Sequence, residues 1–408
     1  MQSRPDRPDP SAPLAERDQP GAPIDGPDPA PRPWPGVSYV MPVLNEAGYL
    51  QQAVTSILDQ HYPGPSEVIL VLGSSTDGTR AVAAALAAAD RRIHLIENPD
   101  SHIPHAVNLG LAARAHPIVV RVDAHTQLPS DYTRRAVATL ERTGAVNVGG
   151  IMAAVGHPGV QAAVARAYNS RFGLGGGAYH RPDADEGPAE SAYLGVMRGD
   201  AVVAVGGFDE SVRRGEDWEL NHRLRRAGHL VWLDPTLRVT YWPRSRWGAL
   251  GRQFFATGVW RGELVRRLGE QNPLRFFAPP VLVLTLGAST VLIPLLATGA
   301  VSGWAAGLAG AVVVVPAAYL GFLGFAAATD RGSAADRARF VGVLATMHLS
   351  WGAGFVLGAA RGAQDAVDTS RSAAAPSNAS ARRRLSPASL RRTSAARFVR
   401  RPDRRPTA

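Results

Sequence analysis

The stretch Pro117-Ile-Val-Val-Arg-Val-Asp-Ala-His-Thr126 decides the fold of this chain. Its short apolar run is rich in β-branched residues and is bounded by proline and by polar residues, a pattern typical of a buried parallel strand. Open α/β sheets bind their ligands at the carboxyl ends of such strands. We therefore expect Asp123, which ends the run, to lie at the edge of a sheet and to face a cleft.

Asp123 and His125 are candidate metal ligands. A carboxylate with a second ligand two residues away can hold Mg²⁺ or Mn²⁺ against a diphosphate, because these ions are usually bound by few protein groups together with substrate phosphates. The alternative is an aspartate that only caps the turn after the strand. The other motifs of the chain have to decide between the two.

The composition excludes several classes of chemistry. The chain has 408 residues and no cysteine, so disulfides and thiolate metal sites are excluded. All of its basic residues are arginine, and the net charge is +10. Residues 1–35 lack an apolar stretch, so we expect them to be disordered and not to form a signal peptide, which favours a cytoplasmic catalytic part. The Arg-rich residues 361–408 are also predicted to be disordered, and without aromatic partners they do not indicate a nucleic-acid partner.

Strand and helix patterns alternate in the first half of the chain. Apolar runs that predict strands begin at Val37, Glu67, Ile93, Ile118 and Ala145. Helical patterns with short connections separate them, with Ser130 and Gly144 as expected caps of the fourth helix. This order predicts an α/β, Rossmann-like domain with a mostly parallel sheet that is covered on both faces.

The pattern changes after residue 172. Residues 173–188 are Gly-rich and then acidic without periodicity, which favours a flexible lid over the cleft. Tyr193–Arg198 is a predicted strand. Arg213–Gly228 is a predicted helix with acidic residues in its first turn, where the helix dipole would favour them for structural reasons alone. Strands at Leu230–Leu233 and Arg238–Trp242 are expected to close the domain, which we place at residues 36–243.

The second half of the chain has the composition of a membrane region. Residues 244–277 mix aromatic residues and arginine at helical spacing, which fits helices at a membrane surface as well as it fits an ordinary core helix with a solvated face. Three apolar runs follow within residues 278–360, and each is about as long as a bilayer is thick: Ala278–Val301, Trp304–Ala328 and Phe340–Ala360.

Arginines near these runs predict their orientation. They precede the first run and lie between the second and the third (Arg266, Arg267, Arg275, Arg331, Arg337, Arg339). The positive-inside rule places both groups in the cytoplasm, so the first two runs should form a transmembrane hairpin. A third full span would put the Arg-rich tail outside. The alternative is that the third run is re-entrant or buried and does not cross.

Six motifs in this order resemble the inverting family 2 glycosyltransferases, which have the GT-A fold. They are Met41-Pro-Val-Leu-Asn-Glu46, Ser75-Thr-Asp-Gly-Thr79, Ala106-Val-Asn-Leu-Gly110, Arg121-Val-Asp-Ala-His125, Gly206-Gly-Phe-Asp-Glu210 and Gly215-Glu-Asp-Trp-Glu-Leu220. The likeness is greatest to membrane-anchored exopolysaccharide transferases of the succinoglycan-biosynthesis type. It implies a nucleotide-diphosphate sugar donor, first of all a UDP-sugar, a divalent metal (Mg²⁺ or Mn²⁺), and inversion at the anomeric carbon.

The resemblance also implies roles for individual residues. Asp217 falls on the family's catalytic base, with Glu216 as the second candidate. Asp123 falls on the metal-binding carboxylate, and His125 ends the same acidic motif. Residues expected to contact the nucleotide sugar are Pro42, Asn45, Glu46, Ser74, Asn108 and Arg121.

This chain departs from the family pattern at several positions. Leu72 stands where the family usually has an aspartate that contacts the nucleotide base, and His125 replaces a carboxylate, which favours Mn²⁺. Gln253, Trp260 and Arg261 resemble the motif with which processive members hold diphosphate and acceptor. Their spacing differs from that motif, so we expect transfer of single sugars.

Two functions remain from the sequence. The first is an enzyme of the cytoplasmic (inner) membrane, multi-pass, which moves a sugar to a lipid-linked or glycan acceptor in cell-envelope or exopolysaccharide synthesis. The alternative, favoured by Leu72, is a catalytically inactive subunit that binds a nucleotide sugar and acts as a scaffold.

Overall fold

The structure is a computed structural model that describes residues 33–174, 177–181, 183–269 and 273–363. Most of residues 1–35 and of residues 361–408, for which disorder was predicted, lie outside the described residues. The sheet and helices below are therefore those of the central part of the chain.

One mixed sheet forms the centre of the first domain. Its strands are β1 Val37–Val43, β2 Ser66–Leu72, β3 Ile93–Glu97, β4 Ile118–Arg121, β5 Asn147–Ala154, β6 Gly187–Pro188, β7 Tyr193–Arg198 and β8 Val231–Tyr241, in the order β3-β2-β1-β4-β7-β5-β8-β6. The pairs among β1 to β4 and the pair of β5 with β8 are parallel. Strand β7 is antiparallel to both of its neighbours, and β6 is antiparallel to β8.

Helices cover both faces of this sheet. They are α1 Leu50–Leu58, α2 Thr79–Ala89, α3 Ile103–Ala113, α4 Tyr132–Thr143, α5 Val160–Tyr168, α6 Gly199–Ala204 and α7 Glu216–Arg226. Tyr39 and Met41 of β1 pack in one core with α1 and α4, while Val40 points to the other face and packs with α3 and α7. The approach of α3 is close, because a Cβ on Gly110 would lie 2.3 Å from Val40. This two-sided burial confirms the predicted α/β fold class.

Several predicted boundaries differ from the structure. Helix α4 begins at Tyr132 with Asp131 as its N-cap residue, so Ser130 is not the cap, whereas Gly144 ends the helix as predicted with φ 70°. The two strands expected after residue 229 form the single strand β8, since a shift of register opposite Gly149 and Ile151 absorbs the irregularity between them.

Residues 173–188, expected to be a lid, contain two ordered pieces among their described residues. Ala178–His180 forms a short 3₁₀ helix, and β6 pairs with β8 at the edge of the sheet. His180 is buried against Tyr168, with 6.3 Å between the ring centres. Movement of this segment stays a prediction.

Four long helices follow the sheet domain: α8 Trp247–Leu268, α9 Ala278–Ala297, α10 Gly303–Thr329 and α11 Ala334–Arg361. In the described part of the chain, the segments Leu274–Ala297, Gly303–Thr329 and Ala334–Arg361 are long and apolar enough to cross a membrane. Only 11% of the most apolar part of α10 is buried within the protein, compared with 39% for α11. Helix α10 therefore exposes an apolar surface, and α11 is more enclosed by the rest of the protein.

Helix α11 lies along α8 and runs in the same direction. Glycines make the contact close: a Cβ on Gly258 would lie 2.1 Å from the carbonyl oxygen of Trp351, and one on Gly358 would lie 1.9 Å from that of Val259. Another face of α8 packs on the sheet domain, where Leu264 lies in a cluster with Val212 and Trp218. Helix α8 is thus enclosed between the sheet domain and α11, as in an ordinary core helix, and its place at a membrane surface stays a prediction.

Candidate active site

The side chain of Arg121, the last residue of β4, organises the candidate site. It is buried, with 5% of the residue exposed, and it donates hydrogen bonds to Asp217 and to Glu216, the latter at 3.0 Å. Its Nη2 also lies 3.6 Å from Oδ1 of Asp123. The predicted metal ligand and the predicted base, far apart in the sequence, therefore meet at one guanidinium group.

The first turn of α7 brings the two acidic residues to this point. Gly215 precedes the helix in the left-handed conformation, with φ 77°, and this turn directs the start of α7 toward the end of β4. The side chain of Asp217 is 34% exposed, whereas that of Glu216 is 10% exposed. Because a base must reach its substrate, this difference favours Asp217 over Glu216.

Like charges converge at this site. The carboxylates of Asp123, Glu216 and Asp217 all approach the guanidinium of Arg121. Burial raises the pKa of Asp217 to about 7; Arg121 opposes this shift, and the neighbouring carboxylates add to it. Burial would lower the pKa of Arg121, but the three carboxylates outweigh that effect and hold it above its ordinary value. The site is thus suited to accept a proton or a cation.

Two loops at the same edge form the wall expected to bind the nucleotide. Asn45, in the left-handed conformation with φ 56°, follows β1 after Pro42 and accepts a hydrogen bond from the N–H of Thr76 at 2.8 Å. The N–H of Glu46 donates to Thr79 at 2.8 Å. The loops after β1 and β2 are therefore held together before any ligand binds.

Glu46 and Ser74 extend this wall in two directions. The carboxylate of Glu46 lies 3.0 Å from Nδ1 of His125, which joins the wall to the loop of the predicted metal ligands. The N–H of Ser74 donates to Ser101 at 2.9 Å. Leu72 is 3% exposed and packs in the core, so it offers the nucleotide no polar group.

Asn108 supports the turn between α6 and α7. Its amide donates to the carbonyl of Phe208 at 2.8 Å and to Glu210 at 2.9 Å, and it accepts from the N–H of Phe208 at 2.8 Å. The Gly-Gly-Phe-Asp-Glu motif is therefore fixed from α3. This positioning role was not foreseen for Asn108, whose contact with a nucleotide sugar stays a prediction.

The three residues predicted on α8 lie in different surroundings. Gln253 approaches the hydroxyl of Tyr241 at 3.5 Å, and Trp260 is 3% exposed and packs in a small cluster with Val259. The guanidinium of Arg261 approaches α7, where it lies over the ring of Trp218 at 4.3 Å. Trp260 follows the helical periodicity of core positions, and contacts of Gln253, Trp260 and Arg261 with acceptor or diphosphate stay a prediction.

A metal ion at this site would take most of its ligands from the bound substrate. Among residues 33–174, 177–181, 183–269 and 273–363 no three His, Asp or Glu side chains are grouped as ligands. Asp123 is 21% exposed at the side chain, so its carboxylate is accessible to a cation. The donor set therefore fits an ion held by one carboxylate and by phosphate oxygens, which is common for Mg²⁺ and Mn²⁺.

Comparison with known proteins identifies the family. Residues 38–187 match the sequence profile described as Glycosyl transferase family 2. The chain is 34% identical over 319 residues to the succinoglycan biosynthesis protein ExoA of Rhizobium meliloti, an alignment that covers 78% of this chain and 92% of that protein. It is 24% identical over 251 residues to a dolichyl N-acetyl-alpha-D-glucosaminyl phosphate 3-beta-D-2,3-diacetamido-2,3-dideoxy-beta-D-glucuronosyltransferase of Methanococcus voltae, covering 59% of this chain and 77% of that protein.

Solved structures show a weaker similarity. The mannosyltransferase PcManGT of Pyrobaculum calidifontis in complex with GDP-Man and Mn²⁺ matches 80% of this chain and 88% of its own, with 21% identity and a TM-score of 0.49. This similarity is too low to support an argument about ligands. The family profile and the alignment with ExoA confirm the resemblance inferred from the six motifs, and the chain belongs to glycosyl transferase family 2.

Proposed function

We propose that this glycosyltransferase moves single sugars, with inversion, from a nucleotide-diphosphate sugar to a hydroxyl group of a membrane-associated acceptor. The observation that supports this most is the meeting of Asp123, Glu216 and Asp217 at the side chain of Arg121. An inverting displacement needs a base for the acceptor and neutralisation of the leaving diphosphate, and both requirements fit this cluster.

Asp217 is the proposed base. Its carboxylate removes the proton of the acceptor hydroxyl while that oxygen bonds to the anomeric carbon. The bond between this carbon and the diphosphate breaks on the opposite side, so the configuration inverts and the proton remains on Asp217. Arg121 orients the carboxylate of Asp217 through its hydrogen bond. Glu216, which is more enclosed, is paired with the same guanidinium. This pairing limits how far Arg121 can lower the pKa of Asp217.

A divalent metal, Mg²⁺ or Mn²⁺, is part of the proposal. Asp123 and His125 would hold it, and the contact of His125 with Glu46 would fix their loop. When bound, such an ion neutralises charge on the leaving diphosphate.

The donor and the acceptor are proposed more broadly. The loops after β1 and β2 lie at the end of a parallel sheet, where nucleotides bind in this architecture, and a UDP-sugar is the first donor to test. Two relatives suggest the acceptor: one acts in succinoglycan biosynthesis, and the name of the other specifies a dolichyl phosphate-linked sugar. We therefore propose a lipid-linked or glycan acceptor in exopolysaccharide or envelope synthesis.

The packing of α11 supports a membrane arrangement with two crossings. At its start, the carbonyl of Asp336 accepts a hydrogen bond from Arg166 of α5 at 2.8 Å. At its end, Ala363 packs with Val259 of α8. Both ends thus lie on elements attached to the sheet domain, so we propose that α9 and α10 cross the inner membrane and that α11 lies beneath the domain on the cytoplasmic side.

Substitution of the base tests the proposal. Asp217→Asn should lower kcat by about 10²–10⁴-fold, the usual contribution of a general base, in a transfer assay that measures released nucleoside diphosphate. Asp200→Asn is a matched control, since Asp200 also lies in the first turn of a helix and pairs with an arginine, Arg114, outside the site. Equal activity of the wild type and Asp217→Asn would remove Asp217 as the base. A wild type without any transfer would favour the scaffold.

A further inference from the structure

A cavity lies between the sheet domain and the membrane helices. Its volume is about 610 Å³, within the range of roughly 300–1,000 Å³ that is common for small-molecule sites. Residues of α8, α9, α10 and α11 line it, together with residues 172–174, 179–180 and 275–276. The predicted site residues do not account for this cavity, apart from Arg261.

The two ends of the cavity differ in chemistry. One end is lined by two arginines, Arg261 and Arg275, with Tyr179 and His180 beside them. The rest is mostly apolar and is formed chiefly by α9, α10 and α11 (Leu282, Val315, Ala318, Phe322, Met347 and Trp351). Its polar groups include Tyr319 and His348, which are hydrogen-bonded to each other at 3.0 Å. Such a cavity matches a ligand that has an anionic head and a hydrocarbon chain.

Arg261 is the strongest indication of an anion. Its guanidinium lies between the rings of Trp218, at 4.3 Å, and Phe276, at 4.2 Å. Its Nη1 is buried without a hydrogen-bond partner, and no ion pair with a described acidic residue is formed. Burial lowers the pKa of Arg261 to about 10, so the side chain remains a cation at neutral pH. A buried cation without an acidic partner is costly unless a ligand supplies the negative charge.

The charges of the residues around Arg261 are also consistent with an anionic ligand. Arg275 pairs with Glu190, so one arginine charge remains uncompensated at this end of the cavity. His180 is neutral at physiological pH, because burial lowers its pKa to about 3. Arginines are the preferred partners of phosphate groups, which they bind through several N–H donors.

The arginine end of the cavity contacts the residue that follows the proposed base. Trp218, which stacks on Arg261, directly follows Asp217 in α7. On the other side, Tyr179 stacks with Tyr193 at 6.4 Å between ring centres. The turn of α7 that carries the proposed base therefore also contributes a contact to Arg261.

We propose that this cavity binds a lipid phosphate, with its phosphate at Arg261 and Arg275 and its hydrocarbon chain between α9 and α10, and that this lipid carries the acceptor sugar. The role as acceptor carrier rests on the proposed function; the binding of the lipid does not. Free diphosphate would pair with the arginines but would leave the apolar end of the cavity unfilled. A lipid alcohol would fill the apolar end but has no anionic group for the arginines.

Direct binding to the detergent-purified full chain tests the inference with three probes: a polyprenyl monophosphate, the corresponding polyprenol, and inorganic pyrophosphate. Quenching of tryptophan fluorescence is a suitable signal, because Trp218 and Trp351 adjoin the cavity. We expect the lipid phosphate to bind about tenfold or more tightly than either of the other probes, since it alone fills both ends. Equal binding of the polyprenol, or of pyrophosphate, would overturn the proposal.

Two pairs of variants separate the ends of the cavity. Arg261→Gln should weaken lipid phosphate binding about tenfold or more, whereas Arg252→Gln, an exposed position on the same helix, should not. Ala318→Phe should also weaken it by filling the apolar end, in contrast to Ala317→Phe, whose exposed site is outside the lining. If Arg261→Gln fails to fold, as judged by thermal melting, the Ala318 pair still decides.

Sugar transfer is measured in parallel, and its outcome is independent of the binding result. Lipid phosphate binding without any transfer would contradict the proposed function and leave the binding site intact. Transfer to a soluble glycan without any binding of the lipid phosphate would support the proposed function and refute only the inference about the cavity.

Discussion

The raised pKa of Asp217 predicts how the rate of sugar transfer should change with pH. Its pKa is raised to about 7, chiefly by burial; Arg121 opposes this shift, and the charges of Glu216 and Asp123 add to it. A base acts only when it is deprotonated. For a pKa of about 7 the deprotonated fraction falls from ~0.9 at pH 8 to ~0.1 at pH 6, so kcat/KM should fall about tenfold over this range.

The assay is the release of nucleoside diphosphate at low acceptor concentration, measured between pH 5 and pH 9 (roughly the range in which a general base is titrated). Donor affinity and thermal melting, measured at the same pH values, control for loss of substrate or fold. An ordinary aspartate, with a pKa near ~3.9, would remain ionised throughout and give a flat profile. A change in kcat/KM of less than about twofold between pH 8 and pH 6 would therefore refute the assignment of Asp217 as a base of raised pKa.

Three further predictions concern the metal, the helix packing and the membrane topology. Chelation with EDTA should abolish transfer, and excess Mn²⁺ or Mg²⁺ should restore it; activity that survives chelation would exclude the proposed metal. Gly358→Leu should destabilise the protein by about 1–3 kcal/mol, because its side chain would overlap a backbone carbonyl of α8, while Gly324→Leu in open space should not; thermal melting in detergent compares them. Because the chain has no cysteine, single cysteines can report which side of the membrane a position faces. Ala300→Cys, between α9 and α10, should react with an impermeant maleimide from outside intact cells, whereas Ala335→Cys and Ala360→Cys, at the two ends of α11, should react only after permeabilisation. Labelling of Ala360→Cys from outside would show that α11 crosses the membrane.

The sequence predicts the sheet and the catalytic edge well because both depend on local pattern. The apolar run that ends at Arg121 is a buried strand, and the acidic start of α7 follows a glycine in the conformation that the turn requires. Parallel strands place their carboxyl ends at one edge, so the proximity of Asp123 to the residues after β1 follows from topology alone. The ends of helices are less predictable, as Ser130 shows, since several polar residues near a start can serve as the cap.

The pairing of the charged groups could not be predicted in the same way. The sharing of Arg121 by three carboxylates depends on how α7 packs against β4, and no spacing in the sequence encodes it. The same is true of Arg275, whose position before an apolar run indicated only the orientation of the membrane helices. Its contact with Glu190 and its place beside Arg261 arise from tertiary packing.

Trp218 links the membrane-side cavity to the catalytic edge, and this has a consequence for the acceptor. Asp217 and Trp218 are consecutive in one helix, so their side chains diverge: the carboxylate turns to Arg121 and the indole to Arg261. The distance between the proposed phosphate position and the base therefore depends on how α7 packs against α8, through Trp218 and Leu264. Only a hydroxyl at a fixed reach from the lipid phosphate would meet Asp217. An enzyme built in this way should select acceptors by the length of the glycan already attached to the lipid, and it should transfer one sugar and then stop, because the lengthened product no longer places its terminal hydroxyl at the base.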